Sequence, residues 1–420
     1  MFPAIPEMTG RCLAGWMEGS AEFPRGLPEY TPHQQRENQK ETEQLLENAR
    51  RFRTRGKMPV EGGQALLRKQ VRASVVRLLL QREDPALSVF MDECEEVAKA
   101  FVRAAKGFDP AISENDAVQA LRNQWVFNSI QSYFGCPISM TESSFAYSML
   151  YPYTDNRLDG DGSWEKAKDA YMQWLSLRLQ GQNCGTVGVH EGAVSRLIGM
   201  IERQYPRSAY PEVHRSLLAI HDAQSRSLQL HRAQQTKDEA SLLAITIEKG
   251  GTSVLADGYL VSGTLAPGMA EVMFAYGVML QLVDDLQDVD EDRAFRHSTA
   301  FTRALGSGRL DTATNRLFSF MHWCRAVMDN CAPTSPFSPC ALIAGSCLVL
   351  VLESIARHHA YYSRTYLSRM EKCMPLPIEF FGTVKTSLDW RMAKQFQGQE
   401  VERNRLREVS KTMEGNGNGN

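Results

Sequence analysis

From about residue 68 onward the sequence offers little that a β-sheet could use. Leu, Ala, Met, Gln, Arg and Glu dominate, β-branched alternation is scarce, and apolar residues recur every three or four positions. The pattern predicts helices over 68–83, 86–106, 114–133, 140–158, 163–180, 190–204, 211–235, 239–249, 252–263, 268–293, 298–305, 310–330, 337–370 and 377–398. Breaks fall at Pro110, Gly135–Pro137, Gly181–Gly188, Tyr205–Pro211, Pro267–Gly268 and Cys331–Pro339. The fold class expected is all-α.

No internal repeat or shift in composition divides this body, so residues 67–405 read as one helical domain. Residues 1–66 read as an N-terminal extension: an irregular arm over 1–30, with Pro3, Pro6, Pro24 and Pro28, then a charged, solvated helix from Thr31 to Arg55. Residues 406–420, ending in a Gly-Asn repeat, read as a flexible tail. The N-terminus lacks the basic-then-apolar order of a signal peptide. The apolar stretch Ala341–Leu352 is too short to span a bilayer and reads as a buried core helix. A net charge of −2 supplies no global field for nucleic acid. Nine scattered cysteines without CxxC pairs fit a reducing, cytoplasmic setting better than a disulfide framework or structural zinc.

One segment carries chemistry. Gly277–Asp292 begins apolar and ends with Asp284, Asp285, Asp288, Asp290, Glu291 and Asp292. On a continuous helix Gln281, Asp285, Asp288 and Asp292 share a stripe, with Asp284 beside Asp288. Like charges so placed repel, and they also oppose the macrodipole at a helix C-terminus, so the arrangement is costly without cations. Hard divalent cations suit such carboxylates, and Mg²⁺ takes one or two of them together with water and phosphate oxygens. A metal–phosphate site at the mouth of an apolar cavity is therefore expected, the rival reading being a solvated acidic helix end. A partner cluster lies about 130 residues upstream in Tyr151-Pro-Tyr-Thr-Asp-Asn-Arg-Leu-Asp159, where Asp155 and Asp159 are i,i+4 neighbours.

The QxxDDxxD pattern resembles the second aspartate-rich motif of trans-prenyl diphosphate synthases and their relatives. With DNxxD upstream, the chain resembles class I terpene synthases over roughly residues 115–400. More narrowly, Ile247-Glu-Lys-Gly-Gly-Thr-Ser-Val-Leu-Ala-Asp-Gly-Tyr-Leu-Val261 followed by Gln281–Asp288 is similar to the tetraprenyl-β-curcumene synthase group and, within that comparison, to fungal humulene synthases. Two departures from chain-elongating relatives stand out. No Arg-Arg-Gly follows Asp159, and Gly56-Lys-Met-Pro-Val60 lacks the arginine of a Gly-Lys-x-x-Arg segment, so no site for a second diphosphate is evident.

The resemblance implies a single prenyltransferase-like helical bundle and a sesquiterpene cyclase of secondary metabolism, a carbon–oxygen lyase. Farnesyl diphosphate would be the substrate, a humulene-type hydrocarbon the product, and three Mg²⁺ ions would accompany the diphosphate. It implies metal ligands at Asp155, Asp159, Asp284, Asp285, Asp288 and Asp292, with Asp155, Asp285 and Asp288 in the catalytic role and the choice between Asp284 and Asp285 open. Lys249 stands where related enzymes bring a lysine to the diphosphate. Gly250 and Gly251 beside it read either as a weakened helix turning carbonyls toward a cation or as a turn between helices. Arg296, one turn past Asp292, reads as a phosphate contact or a surface ion pair, and His231, Arg232, Arg364 and Tyr366 are further candidates. Tyr147 and Tyr151, with Phe274, Gly277, Val278 and Gln281, read as a cavity wall or as ordinary core. A prenyl diphosphate synthase and a non-catalytic helical scaffold are the alternatives, and a homodimer is the candidate assembly.

Overall fold

The computed structural model describes residues 2–54, 85–158, 165–182, 184–185, 188–233, 238–331 and 339–383, with side chains at 49–54, 85–86, 155–158, 165–167 and 229–233 outside the description. Among the described residues there is no β-strand. The helices are α1 (Ile5–Met17), α2 (Pro32–Thr54), α3 (Pro85–Phe108), α4 (Glu114–Tyr133), α5 (Glu142–Leu158), α6 (Glu165–Leu179), α7 (Val189–Gln204) and α8 (Pro211–Ala233). They continue as α9 (Glu239–Ser262), α10 (Pro267–Gln287), α11 (Val289–Ala294), α12 (Ala300–Ser307), α13 (Asp311–Cys331), α14 (Pro339–Arg357) and α15 (Arg364–Glu371). The helix expected over 68–83 and the flexible tail lie outside the described residues.

Local chemistry accounts for many of the helix starts. Pro32, Pro85, Pro211, Pro267 and Pro339 each open a helix, where the missing N–H costs nothing and φ is already set. Ser113, Asp238, Thr299 and Ser363 accept backbone N–H groups as N-caps, and Thr299 and Thr302 close a capping box.

Two helices form the axis. α9 is buried on every face from Gly250 to Leu260 except at Ser253, and α10 is buried from Val272 to Met279. A helix apolar all round belongs inside a bundle. α9 and α10 pack on each other along their length, α8, α1, α4 and α5 flank α9, and α13 and α14 flank α10. α14 is, by length and composition, the one helix among the described residues able to cross a membrane. It is longer than the apolar stretch read from the sequence, and 61% of its most apolar window is buried in the bundle.

Four expectations are corrected. Residues 5–17 are not an irregular arm but helix α1, whose Met8, Cys12 and Trp16 form an i,i+4 stripe in the core. Pro6 lies in its first turn, a helix start instead of a break, and Gly15 leaves room for the Trp323 ring, which an added Cβ would meet at 3.2 Å. Residues 239–262 are one helix, uninterrupted at Gly250-Gly251. The 268–293 helix ends at Gln287 and resumes as α11, with Asp288 at the junction (φ −99°, ψ 16°). The 337–370 helix is broken after Arg357 by a 3-10 turn, His359–Tyr361, before α15.

The glycines explain the second correction. A Cβ on Gly277 would stand 2.1 Å from the carbonyl oxygen of Gly250, and one on Gly251 would stand 2.4 Å from the Phe274 ring. A Cβ on Gly250 would meet Gln281 Cβ at 2.5 Å. Gly250, Gly251 and Gly277 thus let two central helices cross with their backbones in contact, and the buried apolar surroundings keep the glycine-containing helix intact.

Candidate functional site

Register brings the two aspartate-bearing helices to the same end of α9. On the α5 side, Ser143 Oγ donates to the Leu260 carbonyl (3.0 Å), Tyr147 Oη donates to the Ser253 carbonyl (3.4 Å), and Tyr151 Oη bonds Ser253 Oγ. As α5 ascends, α9 descends, so one further turn on each puts the Asp155 position level with Lys249. On the α10 side, Gly258 faces Met273, Gly251 faces Phe274, and Gly250 faces Gly277 and Gln281. This pair is antiparallel too, so Asp284 and Asp285 lie one turn beyond the Lys249 level, at the same end of the bundle. The side chain of Asp155 and the whole of Asp159 lie outside the described residues.

Asp285 is 7% exposed; its Oδ1 accepts from Gln281 Nε2 at 2.8 Å, and its Oδ2 is buried with no hydrogen-bond partner. Burial pushes its carboxyl up to about 7, Gln281 opposing this, with Asp292 and Asp284 adding to the rise. Asp284 is exposed to solvent yet densely surrounded by protein. The enclosure, reinforced by Asp288, pushes it up to about 6 against the pull of Lys249 and Arg122. Asp292 is raised in the same sense by burial, while His297, whose Nδ1 stands 3.3 Å from Asp292 Oδ1, pulls it down. Lys249 acts on the charge of Asp284, Asp285 and Asp292 alike.

These groups form one electrostatic neighbourhood, although the single Gln281–Asp292 stripe does not form. The helix breaks at Asp288, which is exposed, and only Gln281 and Asp285 remain paired on α10. Among the described residues no three His, Cys, Asp or Glu side chains converge as a ready metal-holding group. The donor set nonetheless fits a hard divalent cation: crowded carboxylates with raised proton affinity, one of them carrying a buried oxygen without a partner.

Several roles expected from the sequence change. Arg296 does not extend the acidic stripe. It is exposed in the left-handed region (φ 58°) just after α11, where His297 N–H reaches the Asp292 carbonyl (2.7 Å) and Arg296 N–H the Arg293 carbonyl (3.2 Å). That is a Schellman ending with arginine where glycine is usual. The Gly250 carbonyl is not turned toward a cation, because it abuts Gly277. Gly277 is packed against the Gly250 backbone, and Phe274 and Val278 are fully buried. Tyr147 and Tyr151 meet edge to face at 5.7 Å, and Phe127 packs on Tyr147 at 6.2 Å, an aromatic column leading down from the Asp155 end. Tyr366 is buried beside Phe23 and Tyr362, and Arg364 is exposed at the start of α15. His231 and Arg232 lie on α8 with side chains outside the described residues.

The sequence reading also missed residues. Ser253 is the hydroxyl that joins α5 to α9. Two turns from Lys249 along α9, fully buried Asp257 accepts from Asn123 (3.3 Å), which also donates to Ser148 (3.3 Å), and desolvation holds its carboxyl well above the usual range. A lone acid in the apolar run Val254–Val261 was the available signal. Arg122 and His297 carry no local motif and become visible only through the fold.

In sequence, no protein-family model matches this chain, and neither does any curated protein.

Proposed function

We propose that this chain is a Mg²⁺-dependent class I terpene cyclase of the prenyltransferase-like helical fold, acting on farnesyl diphosphate and releasing a humulene-type hydrocarbon. The observation that carries the reading is the crowding of Asp284, Asp285 and Asp292 beside Lys249, at the end of the central helix where the Asp155 position also stands. Carboxylates whose proton affinity stays raised despite the pull of Lys249, Arg122 and His297 fit a site built for a metal-borne anion. The cyclisation, substrate length and product rest on the resemblance of Asp155–Asp159 and Gln281–Asp288 to that family.

In this reading Asp284, Asp285, Asp288 and Asp292 would hold Mg²⁺ opposite Asp155 and Asp159. The bound metal would supply Lewis-acid help to a leaving diphosphate. Lys249 neutralises negative charge that builds on the departing group, and Arg122 adds to the field from α4. Gln281 fixes the rotamer of Asp285 through its amide. The rings of Tyr151 and Tyr147 present π-faces and edges to a cationic chain, worth up to about 2 kcal/mol when desolvated, and the apolar packing beneath excludes water.

The test is incubation of purified protein with C10, C15 and C20 allylic diphosphates and Mg²⁺, read by gas chromatography and diphosphate release. A cyclic hydrocarbon from the C15 substrate is the expected result. Elongated products on adding isopentenyl diphosphate would assign a prenyl diphosphate synthase instead, and no Mg²⁺-dependent release from any substrate would overturn the reading.

A further inference from the structure

The break between α10 and α11 is held by residues far from it in sequence. Gln287 ends α10, and its carbonyl accepts from Arg357 Nη2 (3.1 Å) and faces His358 Nε2 (3.0 Å). On α11, Asp290 Oδ2 stands 3.0 Å from His358 Nδ1, and its other oxygen accepts from Tyr361 Oη. Tyr361 lies nearly parallel to the His358 ring, with centroids 6.1 Å apart, and Arg293 approaches Tyr361 from α11. His358 itself is 5% exposed.

Both ring nitrogens of His358 therefore face acceptors, a backbone carbonyl and a carboxylate. A neutral imidazole has one N–H and leaves one of these contacts without a donor, whereas an imidazolium donates to both. The charged and polar groups around it are Asp290 and Arg293 on α11, Arg357 and Glu353 on α14, and Tyr361 in the following turn; Arg357 also pairs with Glu353 at 3.4 Å. Asp290 is 60% exposed, so this strap carries little folding energy of its own. Its geometric effect is larger. α11 has six residues, too few to hold a position unaided, and it carries Asp292 and begins directly after Asp288.

We propose that His358, through its two ring nitrogens, is a positioning residue of the carboxylate site, joining the end of α10 to Asp290 so that Asp288 and Asp292 are fixed relative to Asp284 and Asp285. The proposal rests on the metal–diphosphate reading above. It assigns to His358 and Asp290 no contact with metal or substrate.

The experiment compares full-length wild type, His358→Gln, Asp290→Asn and the double variant. Mn²⁺ binding in the presence of inorganic diphosphate is followed by electron paramagnetic resonance, beside thermal melts and amide hydrogen exchange. Each single variant should weaken Mn²⁺ binding about fivefold to twentyfold and speed exchange at residues 289–294, with α9 and α10 protected as in wild type. Because both changes cut the same strap, the double variant should be little worse than either single one. Wild-type affinity in both single variants, or additive losses accompanied by a general fall in melting temperature, would overturn the positioning role while leaving the metal site standing. Absence of Mn²⁺–diphosphate binding by wild type would remove both readings together.

Discussion

α10 is one helix in two environments. Its middle, Val272–Met279, lies against α9 with Gly277 touching Gly250, and nothing there has room to move. Its last turn carries Asp284 and Asp285, whose charges are disfavoured where they stand, and the chain then breaks at Asp288. The first region gains stability from close approach, and the second gives stability up. Rigidity one or two turns away is what lets the strained end keep its geometry, since carboxylates on a loosely packed helix would relax apart.

The largest effects should separate the regions by kind. Asp285→Ala and Asp288→Ala are expected to lower Mg²⁺-dependent turnover at least about 100-fold while leaving the melting temperature equal to or above that of wild type, because each removes a repelling charge. A melt that falls with activity would place the acidic end with the packed middle and erase the contrast. Gly277→Ala should do the reverse and destabilise by about 3 kcal/mol or more, since its methyl group meets the Gly250 backbone carbonyl and not a movable side chain. Gly199→Ala on α7 is the control: nothing lies within 4 Å of its added Cβ, so a stabilisation of up to about 1 kcal/mol is expected in urea titrations.

A carboxylate that the protein compensates with its own cations sharpens the comparison. Glu202 takes Arg178 Nη2 and Arg207 Nη2 at 2.7 Å each. Burial alone would raise it, but the two guanidiniums outweigh burial and hold it down at about 2. A lowered carboxyl stabilises the fold above its unfolded value, about 4.5, and that contribution is lost as pH falls from there toward 2. Glu202→Gln should therefore melt below wild type at pH 7, by about 1–2 kcal/mol after allowance for partial exposure, and converge with it near pH 2. A gap that persists at low pH would mean that packing, not charge, sets the effect. The smallest expected change is at Arg296. Arg296→Gly relieves a left-handed residue worth about 1 kcal/mol and should raise the melting temperature slightly; a simultaneous loss of diphosphate affinity would show that the strain serves the site.

The all-helical class was legible because helical periodicity is written locally, and α4 spans the range its pattern predicts, 114–133. The acidic segment was legible for the same reason. What escaped were meanings set by distant partners. Gly250-Gly251 reads as a weak point until the helix carrying Gly277 lies against it, and Pro6 reads as a breaker until Met8, Cys12 and Trp16 find a core. The division of 268–293 at Asp288 has no breaking residue in the sequence; it coincides with the strap from His358 and Arg357, about 70 positions away.

α1 has a consequence for biosynthesis. Trp16 packs against Phe301 and Phe320, and Phe2 stacks on Tyr259, so the surfaces that cover this helix are made some 240–300 residues after it. At roughly 5–20 residues per second a ribosome takes about 12–60 s to supply them. Throughout that interval the Met8–Cys12–Trp16 stripe has no native surface to dock on and is open to holdase chaperones. Docking of α1 must then be a late event, slow in proportion to the span it closes. A tag fused next to Phe2 would act on that final step and not on the helices that carry the aspartates.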